Sequence, residues 1–232
     1  MNRGVTNAIR WCMDELLPAG IRDSHIFMWP FYCMAYRTFD PSKYMDFKSK
    51  VWGMSEAQYS DFYNNLNSIS RNRDTDNNAA CIREILIACQ KATSVLDVGC
   101  GKGYLLNQIS KISGPTRLAG VDVLTKYGDF PYEYKSGYAD RLPYADREFD
   151  VVCCTHVIEH VLEPHAVIKE LCRVASKEVI VVCPKQRPYY YTLDEHINFF
   201  HYPELLQSLT DRESSIANKG GDWFMRIRCD ES

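Results

Sequence analysis

The sequence predicts an α/β fold: a mostly parallel sheet of about seven strands with helices on both faces, preceded by a helical cap. Three observations carry this. Val95-Leu-Asp-Val-Gly-Cys-Gly-Lys-Gly-Tyr104 reads as a buried strand running into a glycine turn and then into a helix at about Tyr104. After Gly103, strand and helix patterns alternate at βα spacing, which argues for parallel strands covered on both sides. Residues 1–80 differ in character, aromatic-rich and helical in pattern, so the chain divides into a helical cap or lid over 1–80 and a ligand-binding domain over 81–232.

The cap is read first. Thr6 to Leu17 fits an amphipathic helix with Ile9, Met13, Leu16 and Leu17 inward, stopped by Pro18 and Gly20. The apolar stretch from Ile26 is interrupted by Pro30 and is too short to span a bilayer. Tyr44 to Leu66 reads as helical, with Gly53 as a joint and Ser55 capping a second segment. Tyr59, Phe62, Tyr63 and Leu66 share one face. That stripe is either a packing surface or a lid in which Tyr59 and Tyr63 line a substrate pocket. Asn67 to Asn78 is polar and reads as an exposed loop, in which Arg71 and Arg73 are either solvated or clamp an anionic group.

The second domain follows. Asp76 or Asn77 is expected to cap a helix over Asn78 to Lys91, with Ile82, Ile85, Leu86 and Cys89 turned to the sheet. Arg117 to Val123 is an apolar strand carrying an acid, Asp122, 19 residues after Gly103. Pro164 to Ala175 reads as a helix and Lys177 to Pro184 as a strand. Thr192 to Leu209 reads as a turn and then a helix, and Ser214–Asn218 and Trp223–Cys229 as two further strands.

The glycine spacing is Gly-x-Gly-x-Gly, not the Gly-x-Gly-x-x-Gly of dinucleotide sites. Nor is it a phosphate loop, because Lys102 lies inside the glycines with no Ser or Thr after it. Asp97 stands two residues before the first glycine, where a carboxylate repels pyrophosphate and suits an ammonium or sulfonium. Ligands of such folds bind beyond the carboxyl ends of the strands, where the glycine loop, Asp122, Asp140 and His156 can converge.

Over about residues 80–210 the chain resembles a class I S-adenosylmethionine-dependent methyltransferase of small-molecule or glycan type, with a Rossmann-like fold. Asp97-Val-Gly-Cys-Gly-Lys-Gly103 is similar to that family's first motif. The resemblance implies S-adenosyl-L-methionine as cofactor, with the backbone of Gly99, Cys100, Gly101, Gly103 and Tyr104 facing its methionine part and Asp97 serving the amino group. Asp122, with Val123 beside it, would take the ribose hydroxyls. Gly137-Tyr-Ala-Asp-Arg-Leu-Pro-Tyr144 resembles the adenine motif, with Asp140 accepting from the amino group and the Arg141 N–H meeting a ring nitrogen. Phe149-Asp-Val-Val-Cys-Cys-Thr-His-Val-Ile-Glu-His-Val161 resembles the fourth strand and the turn bordering the transfer site, which brings in Thr155 and His156. Dinucleotide oxidoreductases share the second acid but lack the pairing of Asp97 with Asp140.

Five of six histidines cluster in two segments, and histidine suits proton removal from a hydroxyl nucleophile. His156 is the leading base or substrate orienter, with His160, His196 and His201 as further candidates. Were the segment helical, His156, Glu159 and His160 would share a face, and His196 would complete a set of metal ligands. That set is faintly similar to the Glu-x-x-Glu-His…His site of small-RNA 2′-O-methyltransferases, with His156 where the first Glu would stand. Because of that departure no divalent metal is expected, and hydrogen bonds that hold the loop are the expected role of Glu159 and His160.

Tyr189 and Tyr190, in a tyrosine run, suit stacking on a sugar or another flat ligand, or packing against the cap. Met54 to Tyr63 and the Arg/Asp loop resemble methyltransferases encoded with bacterial surface-polysaccharide enzymes. The expected acceptor is thus a small molecule or a glycan, methylated on oxygen. The alternatives are an N-methyltransferase or a non-catalytic cofactor-binding or scaffolding member of the fold. The net charge of −3 and the lack of a basic cluster argue against nucleic acid as partner. Ten cysteines without a Cys-x-x-Cys pair, and no signal peptide, point to buried thiols in a reducing cytoplasm.

Overall fold

The computed structural model describes residues 12–66, 74–123 and 131–230. The run of apolar, β-branched segments separated by glycine and polar turns forms seven strands: β1 (Ser94–Val98), β2 (Arg117–Asp122), β3 (Glu133–Ser136), β4 (Phe149–Thr155), β5 (Ala175–Pro184), β6 (Ser214–Lys219) and β7 (Asp222–Arg228). They make one sheet in the order β3-β2-β1-β4-β5-β7-β6. β1 to β5 pair in parallel, and β7 pairs antiparallel with both β5 and β6. The α/β expectation of a seven-stranded, mostly parallel sheet therefore holds, including a full antiparallel hairpin at β6 and β7.

Side-chain alternation divides the core into two layers. Leu96, Val152, Cys154, Val179 and Val181 face one layer, which receives Val167, Ile168 and Leu171 of α8 (Pro164–Val174) and Leu206 of α9 (Pro203–Gln207). Val95, Val151, Cys153, Ile180 and Val182 face the other, which receives Cys81, Ile85 and Cys89 of α6 (Ala79–Cys89) and Leu105 and Ile109 of α7 (Tyr104–Ile109). α6 starts one residue later than expected and is capped by Asn78, not by Asp76 or Asn77. The Asn78 side chain accepts from the Ala80 and Cys81 N–H groups, both at 2.9 Å. Its amide also donates to Lys219 O (2.6 Å) and Asp222 Oδ2 (2.8 Å), a double use open to Asn but not to Asp, whereas the Asn77 side chain is engaged by Thr155.

The chain forms two compact units: residues 74–185 with 200–232 hold the sheet, and residues 1–73 group with 186–199. The second of these carries α1 (Ala19–Arg22), α2 (His25–Tyr36), α3 (Ser42–Met45), α4 (Phe47–Lys50) and α5 (Glu56–Asn64). The helix expected over Thr6 to Leu17 lies largely outside the described residues, of which Cys12–Leu16 form a π-helical turn. Pro30 sits inside α2 without ending it. The joint expected at Gly53 and the cap expected at Ser55 are both present: the chain turns through a 3-10 segment at Val51–Gly53 before Ser55 starts α5 with a capping box to Gln58, while the part before the joint is divided between α3 and α4.

Segment 186–199 joins this unit through hydrogen bonds that local pattern does not reveal. Tyr32 Oη donates to Thr192 O (2.5 Å), Lys48 Nζ to Tyr189 O (2.7 Å), and the Tyr190 N–H to Asp23 Oδ1 (2.6 Å). Tyr36 Oη reaches both Leu193 O (3.2 Å) and the Glu195 carboxyl. One hydroxyl has one proton to give, so both contacts are satisfied when Glu195 carries its own proton. Burial, with Asp194 adding, pushes Glu195 up to about 8, against the hydrogen bond from Tyr36 that favours the anion.

Candidate active site

β1 delivers Asp97 and Val98 to the rim of the sheet, and the chain must reverse at once to enter α7. Gly99, Gly101 and Gly103 make that reversal in the left-handed region, at φ of 76°, 49° and 78°. The neighbouring strand holds the loop. The N–H groups of Gly99 and Cys100 both donate to Val121 O (2.7 and 3.1 Å), and the Gly101 N–H donates to Asp122 Oδ2 (2.8 Å). A Cβ at Gly99 would lie 2.1 Å from Val157 Cγ2, whereas one at Gly101 would meet nothing within 4 Å. The loop is thus sealed on its inner side and bare on its outer side.

Asp97 stands two residues before that loop. It is buried, its Oδ1 has no hydrogen-bond partner, and burial, with Asp122 adding, pushes its carboxyl up to about 8. A buried carboxylate lacking a donor, next to a second carboxylate and an open glycine backbone, fits a cationic ligand. The amino group and sulfonium of S-adenosylmethionine are of that class, and Gly101 leaves room where a side chain would intrude.

Val123 follows Asp122 half-buried at the end of β2, and Tyr104 opens α7 half-buried. Asp140 is exposed in a turn after β3, whose end pairs with the end of β2. The Arg141 N–H, expected to meet the adenine ring, donates to Tyr138 O at 3.2 Å and closes that turn, while its guanidinium lies 4.8 Å from the Tyr138 ring centroid.

Thr155 ends β4 and its Oγ1 accepts from Asn77 Nδ2 at 2.9 Å. His156 then takes φ 56°, a strained conformation for a residue with a side chain, pinned by its N–H to Val182 O (2.8 Å). Residues 156–160 form a turn and not the helix on which the shared-face argument depended, yet His156 and Glu159 still meet. Nδ1 of His156 is 3.3 Å from Glu159 Oε1 and Nε2 is 3.8 Å from Asp222 Oδ2. Burial opposes the imidazolium, but Glu159 and Asp222, with Asp76 beyond, win and raise the His156 pKa above its ordinary value. His160 closes the turn through its N–H to Val157 O (2.9 Å).

Asn77, Asn78 and Asp222 are the site residues that sequence reasoning missed. The sequence offers Asn77 as a candidate helix cap and Asn78 as the first residue of that helix, with no role at the site for either. Asp222 is separated from His156 by two strands and an antiparallel pairing, and its Gly-Gly-Asp turn signals a hairpin and nothing more.

The other candidates distribute as follows. His201 is half-buried, with its ring 4.4 Å from that of Tyr202. His196, Tyr59, Tyr63, Tyr189 and Tyr190 belong to the helical unit. There His196 is buried with Nδ1 2.5 Å from Gln186 Oε1, and Tyr59 and Tyr63 pair with ring centroids 4.7 Å apart. Tyr189 packs at 5.8 Å on Phe199, and Tyr190 is partly exposed and edge-on to Tyr191 at 4.7 Å. Arg71 and Arg73 lie outside the described residues. Among the described residues, no helix is long and apolar enough to cross a membrane.

Comparison with known proteins finds methyltransferases. A family model described as "Methyltransferase domain" matches residues 96–183, from within β1 to the end of β5. Curated relatives include the tRNA U34 carboxymethyltransferase of Campylobacter lari, 31% identical over 102 residues, which are 39% of this chain and 34% of the relative. They also include the ubiquinone biosynthesis O-methyltransferase of Methylobacterium nodulans, 26% identical over 90 residues, or 35% of this chain and 36% of the relative. The chain thus spans about a third of the length of these relatives. Among solved structures, the PH0226 protein of Pyrococcus horikoshii matches with a TM-score of 0.51 at 17% identity, over 69% of this chain and 95% of that one. The complex between the Haloferax volcanii Trm112 methyltransferase activator and a methyltransferase also matches, with a TM-score of 0.51 at 15% identity, over 65% of this chain and 90% of that one.

Proposed function

From the premise that this chain carries a class I S-adenosylmethionine-dependent methyltransferase domain, we propose that it transfers a methyl group from S-adenosyl-L-methionine to a hydroxyl of a small molecule or a sugar, in a cytoplasmic setting. The observation that carries the reading is the pairing of the open Gly101 backbone with the unpartnered, buried Asp97 carboxyl. When bound, S-adenosylmethionine supplies a methyl group activated toward in-line displacement.

The chain's own residues do the rest. Asp97 holds the amino group, the backbone of Gly99 to Tyr104 lines the methionine part, and Asp122 with Val123 takes the ribose. Asp140 and Arg141 flank the adenine. Thr155 and His156 border the acceptor. Nδ1 of His156 lies 3.3 Å from Glu159 and Nε2 3.8 Å from Asp222, so His156 acts by orienting the acceptor, with its ring held by the carboxylate of Glu159. His160, His196 and His201, and Tyr59, Tyr63, Arg71, Arg73, Tyr189 and Tyr190, remain proposals for acceptor handling.

The buried acids Asp122, Glu159 and Asp222 support a second reading, methylation of an amine, since a cationic acceptor suits carboxylates beside the transfer site. The net charge of −3 disfavours a polyanion such as RNA, although one relative's name includes tRNA.

Calorimetric titration with S-adenosylmethionine tests the first half. The parent binds, and Asp122→Ala, which also frees the Gly101 amide, binds at least about tenfold more weakly. An unchanged dissociation constant in Asp122→Ala would overturn the assignment. Labelled-methyl transfer to sugar, phenol, amine and RNA pools then separates the acceptor classes. His156→Ala should lower kcat by about 100-fold or more with little change in cofactor affinity. Equal kcat in mutant and parent removes His156 from the mechanism.

A further inference from the structure

At the carboxyl end of β4, two buried polar atoms, Asn77 Oδ1 and His156 Nε2, have no hydrogen-bond partner among the described residues. Asn77 is 8% exposed, although Asp76 before it is exposed and Asn78 after it is half-buried. Its amide is held from one side. Nδ2 donates to Thr155 Oγ1 at 2.9 Å, and the backbone N–H donates to Thr75 Oγ1 at 3.1 Å. The carbonyl oxygen is thereby fixed in place as an acceptor with no donor. A buried acceptor in that state is costly until a ligand supplies a proton.

The neighbours of this oxygen place it beside the glycine loop. Asn77, Asn78, Thr155, His156 and Asp222 all belong to the unit that holds the sheet. Thr155 follows Cys154, the partner of Val98, so it is level with Gly99. Val157, two residues on, is the side chain that a Cβ at Gly99 would strike. Asn78 donates to Asp222 Oδ2 at 2.8 Å, and that oxygen is 3.8 Å from His156 Nε2. The two asparagines thus contact Thr155, which precedes His156, and Asp222, which faces its ring. A separation of 3.8 Å exceeds a hydrogen bond, so Nε2 stays open to a ligand while Glu159 Oε1, 3.3 Å from Nδ1, holds the ring.

A carboxamide oxygen accepts a hydrogen bond but does not take the proton. It therefore suits a group that keeps its proton, whereas a hydroxyl methylated on oxygen loses its own. The donor that satisfies Asn77 is a second hydroxyl on the same molecule. We propose that Asn77 and His156 together read a vicinal diol of a sugar or other polyol. The hydroxyl to be methylated meets His156 Nε2, and the one beside it donates to Asn77 Oδ1. This names the acceptor class within the methyl-transfer reading and rests on that reading. It also makes transfer position-selective, because an acceptor lacking the second hydroxyl leaves a buried carbonyl unpaired and is rejected.

The test is labelled-methyl transfer to the methyl glycosides of glucose, galactose, mannose and rhamnose, each beside its singly deoxygenated analogues. One position is expected to be methylated. Removing the hydroxyl next to it should lower kcat/KM by about 100-fold or more, and removing a remote one should change it little. Calorimetry of the same pairs on protein saturated with S-adenosylhomocysteine should show the same preference without turnover. Asn77→Leu should bring the adjacent-hydroxyl ratio close to one, chiefly through KM. Asn77→Asp, which keeps an acceptor oxygen there and lets the Thr155 hydroxyl donate to the other, should restore part of it. The ratio in the parent decides the matter should a variant misfold. Deoxy analogues used as well as the diols, a preference for analogues in which the neighbouring hydroxyl is a methyl ether, an unaltered ratio in folded Asn77→Leu, or no transfer to any glycoside would each overturn the proposal. A parent that binds S-adenosylmethionine yet methylates no diol refutes this inference alone, whereas a parent that does not bind it refutes the wider reading as well.

Discussion

Asp97→Asn stabilises the ligand-free protein at pH 7 and weakens S-adenosylmethionine binding by about 30-fold or more. In the unfolded chain this carboxyl titrates near 3.8, whereas in the fold burial and then Asp122 push it up to about 8. The folded state therefore keeps a proton that the unfolded chain has lost. The contribution of this group to stability is fully present below about 4, falls by roughly 1.4 kcal/mol per pH unit as pH rises toward 8, and is flat above that. An amide of the same shape carries no such penalty, so the substitution gains roughly 1–3 kcal/mol at pH 7 after the cost of burying the amide. Glu195, raised for the same reason, keeps a like slope of its own. Urea unfolding from pH 5 to 8 should thus show a shallower decline in Asp97→Asn than in the parent. Parallel curves, or a variant that binds the cofactor as well as the parent, would mean that Asp97 does not hold the cationic end. A cation seated at Asp97 also expels its proton, so parent affinity should rise as pH approaches 8.

Gly99→Ala and Gly101→Ala should part company, and the contrast measures what the loop is for. At Gly99 the new methyl lands 2.1 Å from Val157 Cγ2 with φ at 76°, so both packing and backbone object, at a cost of about 2–5 kcal/mol. At Gly101 no atom lies within 4 Å of the new methyl, and the left-handed backbone alone costs about 1 kcal/mol. Gly101→Ala is expected to unfold nearly like the parent yet lose cofactor affinity, because its methyl fills the open side of the loop. Gly99→Ala is expected to lose both. Urea midpoints and calorimetry on the two variants check this, and normal binding by Gly101→Ala would show that no ligand approaches the loop there.

Local signals carried most of the fold. β1, the glycine turn, the acid ending β2 and the apolar β4 and β5 are legible because each is written in consecutive residues with a strand or turn period. The acids at successive strand ends were legible for the same reason. What was not legible rests on pairing at long range. Asn78 takes the cap from its neighbours through Lys219 and Asp222, and Asp222 reaches His156 only because β7 is inserted between β5 and β6. Segment 186–199 carries no period that assigns it to the helical unit, and its place there depends on carbonyl groups that Tyr32, Tyr36 and Lys48 happen to meet. His156 to His160 form the turn expected after β4, and the three-residue spacing of His156 and Glu159 brings them together there without the helix that the shared-face argument needed.

The insertion of β7 also orders events during synthesis. β5, with its run Val179 to Cys183 wholly covered in the finished fold, leaves the ribosome before the hairpin that will pair with it. Until that hairpin arrives, the nascent chain presents an unpaired, hydrophobic ribbon edge of the kind that recruits other strands. Chaperone occupancy should accordingly peak in the interval when β5 has emerged and β7 has not.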